Sequence, residues 1–243
     1  MKSKNSKLVQ KIYGKEIVKR AVENAEKAGV KDIVAVVGYK KEEVMKVLGD
    51  NIKYAFQDEM LGTGHAVMQA KEYLKGKKGK VLVLNGDVPL IRPETLNKLI
   101  EKSIENKEYA TLLTAIYDDP TGYGRIVRDE GGNIEGIVEE KDTTEEQKKI
   151  TEINAGIYCF DIEALLEALE KITPNNKQGE YYITDVIQIM NNRGLKTGAV
   201  IVEDNTEILG INDRIQLGIL TKVLQMRINT ELMKHGVTIE DTN

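Results

Sequence analysis

Short apolar runs alternate with segments of helical periodicity along the first half of the chain. The segment KEIVKRAVENAEKAG predicts a helix that ends at Gly29, and its apolar face comprises Ile17, Val18, Ala21, Val22 and Ala25. The apolar run DIVAVVG then predicts a strand, KKEEVMKVLG a helix, and IKYAF another strand.

The same alternation continues to about residue 119. GTGHAVMQAKEYL and RPETLNKLIEKSIENK predict helices, while KVLVLNGD and YATLLTAIYDD predict strands. Because the strands are continuous apolar runs, they favour a mostly parallel sheet with helices on both faces. Ligands of such α/β sheets bind at the carboxyl ends of the strands.

From about Pro120 the pattern becomes mixed. GRIVRDEGGNIEGIVEEKD predicts a hairpin, TEINAGIYCFD and LKTGAVIVED predict strands, and GEYYITDVIQIMNNRG predicts a helix. The expected fold class is therefore α/β, with a mixed, mostly parallel sheet and a smaller insertion in the second half.

Residues 213–235 show one long helical pattern with an apolar stripe formed by Leu217, Leu220, Leu224, Ile228 and Leu232. A helix of this length measures ~35 Å. We expect it to pack on the domain at its beginning and to project as an arm at its end.

Composition narrows the function classes. The net charge of −4, from 35 Lys and Arg against 39 Asp and Glu, argues against a nucleic-acid or membrane partner. Cys159 is the single cysteine, so an intrachain disulfide is excluded. The sequence shows no signal peptide and no apolar run near ~18 residues, so we expect a cytoplasmic protein. With only two His residues, any divalent ion would rest on oxygen ligands, which favours Mg²⁺.

Two segments of the first half carry candidate chemistry. Asp87 follows the most apolar strand, where it would face a ligand crevice or, alternatively, cap the helix near Pro93. Gly62, Thr63 and Gly64 join a strand to a helix, where they would admit a ligand or form an ordinary turn.

The second half adds weaker candidates. Gly124 would expose its N–H to a ligand or begin the hairpin, and Glu139, Lys141 and Asn154 are placed on strands where polar side chains can bind sugar hydroxyls or be merely solvated. Cys159 lies in an apolar strand and is interpreted as a core residue.

The combined motifs are specific. Q-D-E-x-L-G-T-G-H-A, N-G-D-V-P-L, D-D-P-T-G-Y-G-R-I-V, G-I-V-E-E-K-D, E-I-N-A-G, Q-G-E-Y-Y-I-T-D and G-I-N-D-R occur in this order over essentially the whole chain. The chain resembles the N-terminal pyrophosphorylase domain of the bacterial bifunctional UDP-N-acetylglucosamine pyrophosphorylase/glucosamine-1-phosphate acetyltransferases.

The resemblance implies a Rossmann-like nucleotidyltransferase that joins UTP to N-acetylglucosamine 1-phosphate and releases pyrophosphate with Mg²⁺. It also implies site roles. Asp87 and Asn212 would hold the metal, and Lys7 would contact phosphate as the candidate catalytic residue. The uridine would be recognised by Gln57, Gly62 and Thr63. The amino sugar would be bound by Gly124, Glu139 and Asn154. Residues 1–212 would form the catalytic domain and 213–243 a helical arm, and the family suggests a homotrimer.

The N-terminus departs from the family pattern. The family's first strand ends in a signature like L-A-A-G-x-G-T-R-M, and MKSKNSK aligns with the end of that signature. The first strand and the glycine loop are thus expected to be missing from this chain, and so is the family's C-terminal β-helix. Three smaller departures are Ser6 and Glu16, where the family usually has Pro, and Met60, where a Gln is common. The alternatives are a nucleotidylyltransferase for another base or sugar, and a non-catalytic binding or interaction module.

Overall fold

The structure is a computed structural model, and it describes residues 5–242. Its elements in chain order are β1 (Lys11–Ile12), β2 (Lys15–Glu16), α1 (Ile17–Lys27), β3 (Val34–Val37), α2 (Lys41–Leu48), β4 (Lys53–Phe56), α3 (Thr63–Gln69), α4 (Lys71–Leu74), β5 (Lys80–Val83), α5 (Pro93–Glu105), β6 (Ala110–Ile116), β7 (Arg125–Arg128), β8 (Ile134–Val138), β9 (Glu152–Asp161), α6 (Ile162–Leu169), α7 (Asp185–Asn192), β10 (Thr197–Ile201) and α8 (Arg214–Lys234).

The strands form a mixed sheet, which confirms the predicted α/β class. The main sheet has the order β10-β6-β9-β7-β8, and β5 pairs with the far end of β9. β6 and β10 are parallel, as are β3 and β4, whereas β9 runs antiparallel to β5, β6 and β7. Parallel pairing is thus less extensive than the sequence pattern suggested, because a continuous apolar run indicates a strand that is buried on both faces and does not by itself fix its direction.

Helices cover both faces of the main sheet. Leu112 of β6 packs in a buried cluster with Leu165 of α6 and Val186 of α7. The next residue, Leu113, points to the opposite face and packs in a cluster with Leu96 of α5. This alternation follows from the period of two along a strand, and it places a hydrophobic core on each side of the sheet.

Two helix predictions differ from the structure. The segment from residue 179 to 194 was predicted to be helical throughout, but α7 begins only at Asp185. The residues before it are irregular and end in a turn at Ile183 and Thr184. They hydrogen-bond to the beginning of α3, where Tyr181 O accepts from Gly64 N at 2.7 Å. Helix α6, capped by the Asp161 carboxylate, was not predicted.

Helix α8 changes environment along its length. The Asp213 side chain caps its beginning, and Leu220 is 1% exposed beneath it. Further along, Ile228 and Leu232 are exposed. The helix therefore packs on the domain at its beginning and presents apolar side chains to solvent at its end. None of the helices within residues 5–242 is both long and apolar enough to cross a bilayer.

A cavity separates the main sheet from the two-stranded sheet that β3 and β4 form. Within residues 5–242, β3 pairs only with β4, and β5 pairs only with β9. Between them lies a cavity of about 1030 Å³ whose walls include β3, β5 and the apolar face of α1. This cavity extends past the carboxyl end of β5 to the loops that carry the candidate site residues.

Candidate active site

Most of the sequence-predicted site residues line this one cavity. Its wall includes six of them: Thr63, Asp87, Gly124, Glu139, Asn154 and Asn212. Lys7 hydrogen-bonds to Asp87 of that set, and Gly62 precedes Thr63 in the chain. Gln57 lies one contact further away, since its side chain donates to Gly62 O. The fold therefore gathers residues that are spread over most of the chain.

One end of the cavity holds a cluster of Lys7, Asp87 and Asn212. Lys7 Nζ donates to Asp87 Oδ2 at 2.6 Å and to Asn212 Oδ1 at 2.9 Å. The backbone also connects the two loops, since Ile211 N donates to Asp87 O at 3.2 Å. Helix α5 has Arg92 at its N-cap, so the alternative that Asp87 caps this helix is wrong.

The donor set at this end suits a hard divalent cation. The Asp87 carboxylate and the Asn212 amide oxygen already converge on one positive charge, the Lys7 ammonium. Among residues 5–242 no group of three or more His, Cys, Asp or Glu side chains could hold a metal. A cation here would complete its shell with water and phosphate oxygens, which is how Mg²⁺ is usually bound.

The predicted uridine residues form a compact turn at the beginning of α3. Gln57 is buried, and its Nε2 lies 3.1 Å from Gly62 O and 3.2 Å from His65 Nδ1. Gly62 has φ of +109°, and a Cβ there would lie 2.6 Å from Tyr181 O. The contact with Tyr181 is thus sufficient reason for this glycine, and the role of the turn in uridine binding stays a prediction.

The predicted sugar residues meet at another part of the wall. A Cβ on Gly124 would lie 3.4 Å from Glu139 Oε2 and 3.6 Å from Asn154 Cβ. Asn154 N donates to Gly124 O at 2.9 Å, which fixes the two backbones against each other. This part of the wall therefore offers a carboxylate and a carboxamide beside a residue without a side chain.

Glu139 and Lys141 do not lie on a strand, which corrects the sequence interpretation. Strand β8 ends at Val138, and the chain turns there into a short 3-10 helix, Glu140–Asp142. Lys141 Nζ donates to Gln178 Oε1 on the surface and lies outside the cavity wall. Asn154 lies on β9 as predicted.

Burial raises the pKa of Glu139 above its ordinary value of 4.5. Thr184 Oγ1 donates to Glu139 Oε1 at 3.0 Å and lowers this pKa in part. The carboxylates of Asp185, Asp142 and Glu180 raise it further. A carboxyl group in this setting is well placed to accept hydrogen bonds from a ligand, because ligand donors would relieve its poor solvation.

Sequence reasoning missed several polar residues of the wall, among them Asn85 and Tyr158. A Cβ on Gly156 would lie 2.5 Å from Asn85 Nδ2, so Asn85 packs directly on β9. Asn85 belongs to the same N-G-D segment as Asp87, and that proximity could have indicated it. The interpretation of Cys159 is confirmed: it is buried in the core, where burial raises its pKa.

Comparison with known proteins identifies the family. The model of the nucleotidyl transferase family matches residues 2–210. The chain belongs to this family. Among its relatives are three proteins named "Bifunctional protein GlmU": 53% identical in Caldanaerobacter subterraneus subsp. tengcongensis, 51% in Acetivibrio thermocellus and 48% in Clostridioides difficile. The matches cover 99–100% of this chain and 52–53% of the relatives, so the chain spans about half their length.

Solved structures support the same fold. A putative glucose-1-phosphate thymidylyltransferase from Bacillus anthracis superposes with a TM-score of 0.70, over 97% of this chain and 89% of that one, at 18% identity. A UDP-glucose pyrophosphorylase complexed with UDP-glucose superposes with a TM-score of 0.61, over 77% and 79%, at 22% identity. The family description, nucleotidyl transferase, implies a nucleotide as a substrate and favours a divalent metal.

Proposed function

We propose that the chain transfers UMP from UTP to N-acetylglucosamine 1-phosphate, giving UDP-N-acetylglucosamine and pyrophosphate. The observation that carries the proposal is the arrangement of the cavity wall. The Lys7, Asp87 and Asn212 cluster lies on the same cavity as the Gly124, Glu139 and Asn154 group. Family membership, together with relatives about 50% identical over the whole chain, supports this choice of reaction.

In this reaction a phosphate oxygen of the sugar phosphate attacks the α-phosphorus of UTP, and the bond to the departing pyrophosphate breaks. Such a transfer needs in-line positioning and neutralisation of negative charge, and no covalent nucleophile. The Lys7 ammonium would supply one positive charge beside the phosphates. Asp87 and Asn212 would hold Mg²⁺, whose chemistry when bound is to neutralise further phosphate charge.

The remaining roles are those that the family resemblance implies. Gln57, Gly62 and Thr63 would contact the uridine, and Gly124, Glu139 and Asn154 would contact the amino sugar. Residues 1–212 would form the catalytic domain and 213–243 a helical arm. A cytoplasmic location and assembly of copies into a trimer belong to the same proposal.

The test measures pyrophosphate release from UTP with N-acetylglucosamine 1-phosphate, with glucose 1-phosphate as the competing acceptor and dTTP as the competing donor. It uses residues 1–243 and an extended polypeptide, in which a strand and glycine loop of the pattern L-A-A-G-x-G-T-R precede Met1. We expect the extended polypeptide to prefer UTP with the acetylated amino sugar. Preference for glucose 1-phosphate or dTTP would overturn the proposal in favour of a related nucleotidylyltransferase.

A further inference from the structure

Strand β9 contains a bulge between Asn154 and Tyr158. Tyr158 pairs with Leu112 and Asn154 pairs with Thr114, so four residue steps on β9 oppose two on β6. In a regular strand, residues four apart lie ~13 Å from each other. The bulge shortens this separation, and the side chains meet: Asn154 Nδ2 donates to the Tyr158 hydroxyl oxygen at 2.7 Å.

Gly156 makes this bulge possible. Its φ is +70°, a region that residues with a side chain rarely adopt, and a Cβ there would lie 2.5 Å from Asn85 Nδ2. Its N–H also donates to Asn154 Oδ1 at 3.1 Å. The same bend therefore contacts both ends of the Asn154 carboxamide.

These two contacts determine which way the Asn154 carboxamide faces. The backbone N–H of Gly156 can only donate, so the atom that faces it must be Asn154 Oδ1. The amide nitrogen is then left to face Tyr158, whose hydroxyl oxygen accepts. Burial raises the pKa of Tyr158, so its hydroxyl stays neutral at physiological pH and remains an acceptor of this kind.

The Tyr158 ring is itself held in place. It is buried, and it stacks on Phe160 with 5.3 Å between ring centroids. Its hydroxyl reaches the cavity wall beside Asn154 and near the charge of Glu139. The Tyr158 hydroxyl oxygen is therefore a fixed acceptor that restricts the Asn154 carboxamide to one orientation. It is not part of the Lys7, Asp87 and Asn212 cluster at one end of the cavity.

We propose that Tyr158 is a positioning residue that sets specificity for an acetylated amino sugar through Asn154, an inference that rests on the proposed function. With one N–H and one lone pair engaged, the carboxamide keeps a second N–H and a second lone pair. A ligand acetamido group offers the matching C=O and N–H, whereas a sugar hydroxyl at the same carbon offers a single oxygen. Fixing the Asn154 orientation therefore favours the acetamido sugar over its hydroxyl counterpart.

The test substitutes Tyr158→Phe in residues 1–243 and measures equilibrium binding of UDP-N-acetylglucosamine, UDP-glucose and UDP. Loss of one buried hydrogen bond predicts ~10-fold weaker binding of UDP-N-acetylglucosamine, with binding of UDP and UDP-glucose changed less than ~2-fold. The matched control is Tyr54→Phe, which removes a hydroxyl that donates to Gly49 O, on a residue that is not part of the cavity wall. Equal loss for all ligands, or none, would overturn the inference.

A second readout needs no ligand. The side-chain amide signal of Asn154, assigned by its loss in Asn154→Asp, should shift in the NMR spectrum of Tyr158→Phe and stay in place in Tyr54→Phe. An unchanged signal in Tyr158→Phe would overturn the positioning role whatever the protein binds. If residues 1–243 bind none of the nucleotides, the same comparison is made in the extended polypeptide; if that form also binds none, the proposed function fails, and the amide signal alone decides the role of Tyr158.

Discussion

The Lys7 ammonium and the Asp87 carboxylate are 2.6 Å apart, although 80 positions separate them in the sequence. Their side chains are 37% and 23% exposed. Ion pairs with this much solvent contact contribute only about 0–1 kcal/mol to stability, so the pair does little to hold the fold together. The pair lies with Asn212 at the cavity wall, where we propose that it binds charged groups.

The first prediction concerns Asp87→Ala in the extended polypeptide. Because the lost carboxylate would hold the metal against the phosphates, we expect kcat to fall by at least ~100-fold while the melting temperature changes little. Steady-state rates over a Mg²⁺ titration measure the effect, and Asp50→Ala, on the exposed surface, is the control. Near-normal kcat at saturating Mg²⁺ would rule out the metal role of Asp87.

The second prediction concerns Glu139→Ala and Asn154→Ala, again in the extended polypeptide. A hydrogen bond to a charged group contributes ~1.5–3 kcal/mol, so KM for N-acetylglucosamine 1-phosphate should rise roughly tenfold to a hundredfold in Glu139→Ala. A hydrogen bond between neutral groups contributes ~0.5–1.5 kcal/mol, so the rise in Asn154→Ala should be roughly twofold to tenfold. KM for UTP should change much less, because the predicted uridine contacts come from the turn that contains Gln57, to which neither residue belongs. An equal rise for both substrates, or a rise for UTP alone, would reassign the two residues.

The third prediction concerns the stability of Glu139→Gln as a function of pH. The folded-state pKa of Glu139 is raised, so the parent protein loses stability as the carboxyl ionises, from about its ordinary value of 4.5 upward. Glutamine can still accept from Thr184 and never ionises. We therefore expect the variant to melt higher than the parent at pH 7, with the difference vanishing below pH 4.5. Glu101→Gln, on the surface of α5, should show no such trend, and a pH-independent difference would contradict the assigned cause.

The fourth prediction concerns the cavity between β3 and β5. Half-buried strands that pair on one side only leave backbone groups unpaired, and each such group costs ~1–3 kcal/mol when shielded from water. We expect the extended polypeptide to melt higher than residues 1–243 and to be far more active, because its strand fills the cavity and its glycine loop can bind phosphate. A scrambled extension of equal length is the control. Equal melting and equal activity of the short and extended forms would refute this account.

Local patterns predicted most of the helices and strands. The apolar face of α1 is buried as its spacing indicates, and Gly29 follows its end with φ of +87°. The predictions were wrong where a feature depends on residues outside the segment itself. The direction of β9 and the delayed beginning of α7 both depend on partners distant in the sequence, and no local periodicity reports them.

In the candidate site, too, local sequence patterns identified single residues but not their distant partners. Spacing alone could not bring Lys7 beside Asn212, which is 205 positions away, and only the family resemblance associated them. Tyr158 was missed because an apolar strand pattern makes a tyrosine look like a core residue. The glycine two residues before it was the available signal, since glycine inside a strand often marks a bulge.

The central claim is that one cavity binds phosphate at the Asp87 end and an acetylated amino sugar beside Gly124. A crystal structure of the extended polypeptide with UDP-N-acetylglucosamine and Mg²⁺ tests it most directly. The account predicts the metal between Asp87 and Asn212, the diphosphate beside it, and the acetamido group in hydrogen-bond contact with Asn154. A nucleotide bound outside this cavity, or a sugar directed away from Glu139 and Asn154, would contradict the account.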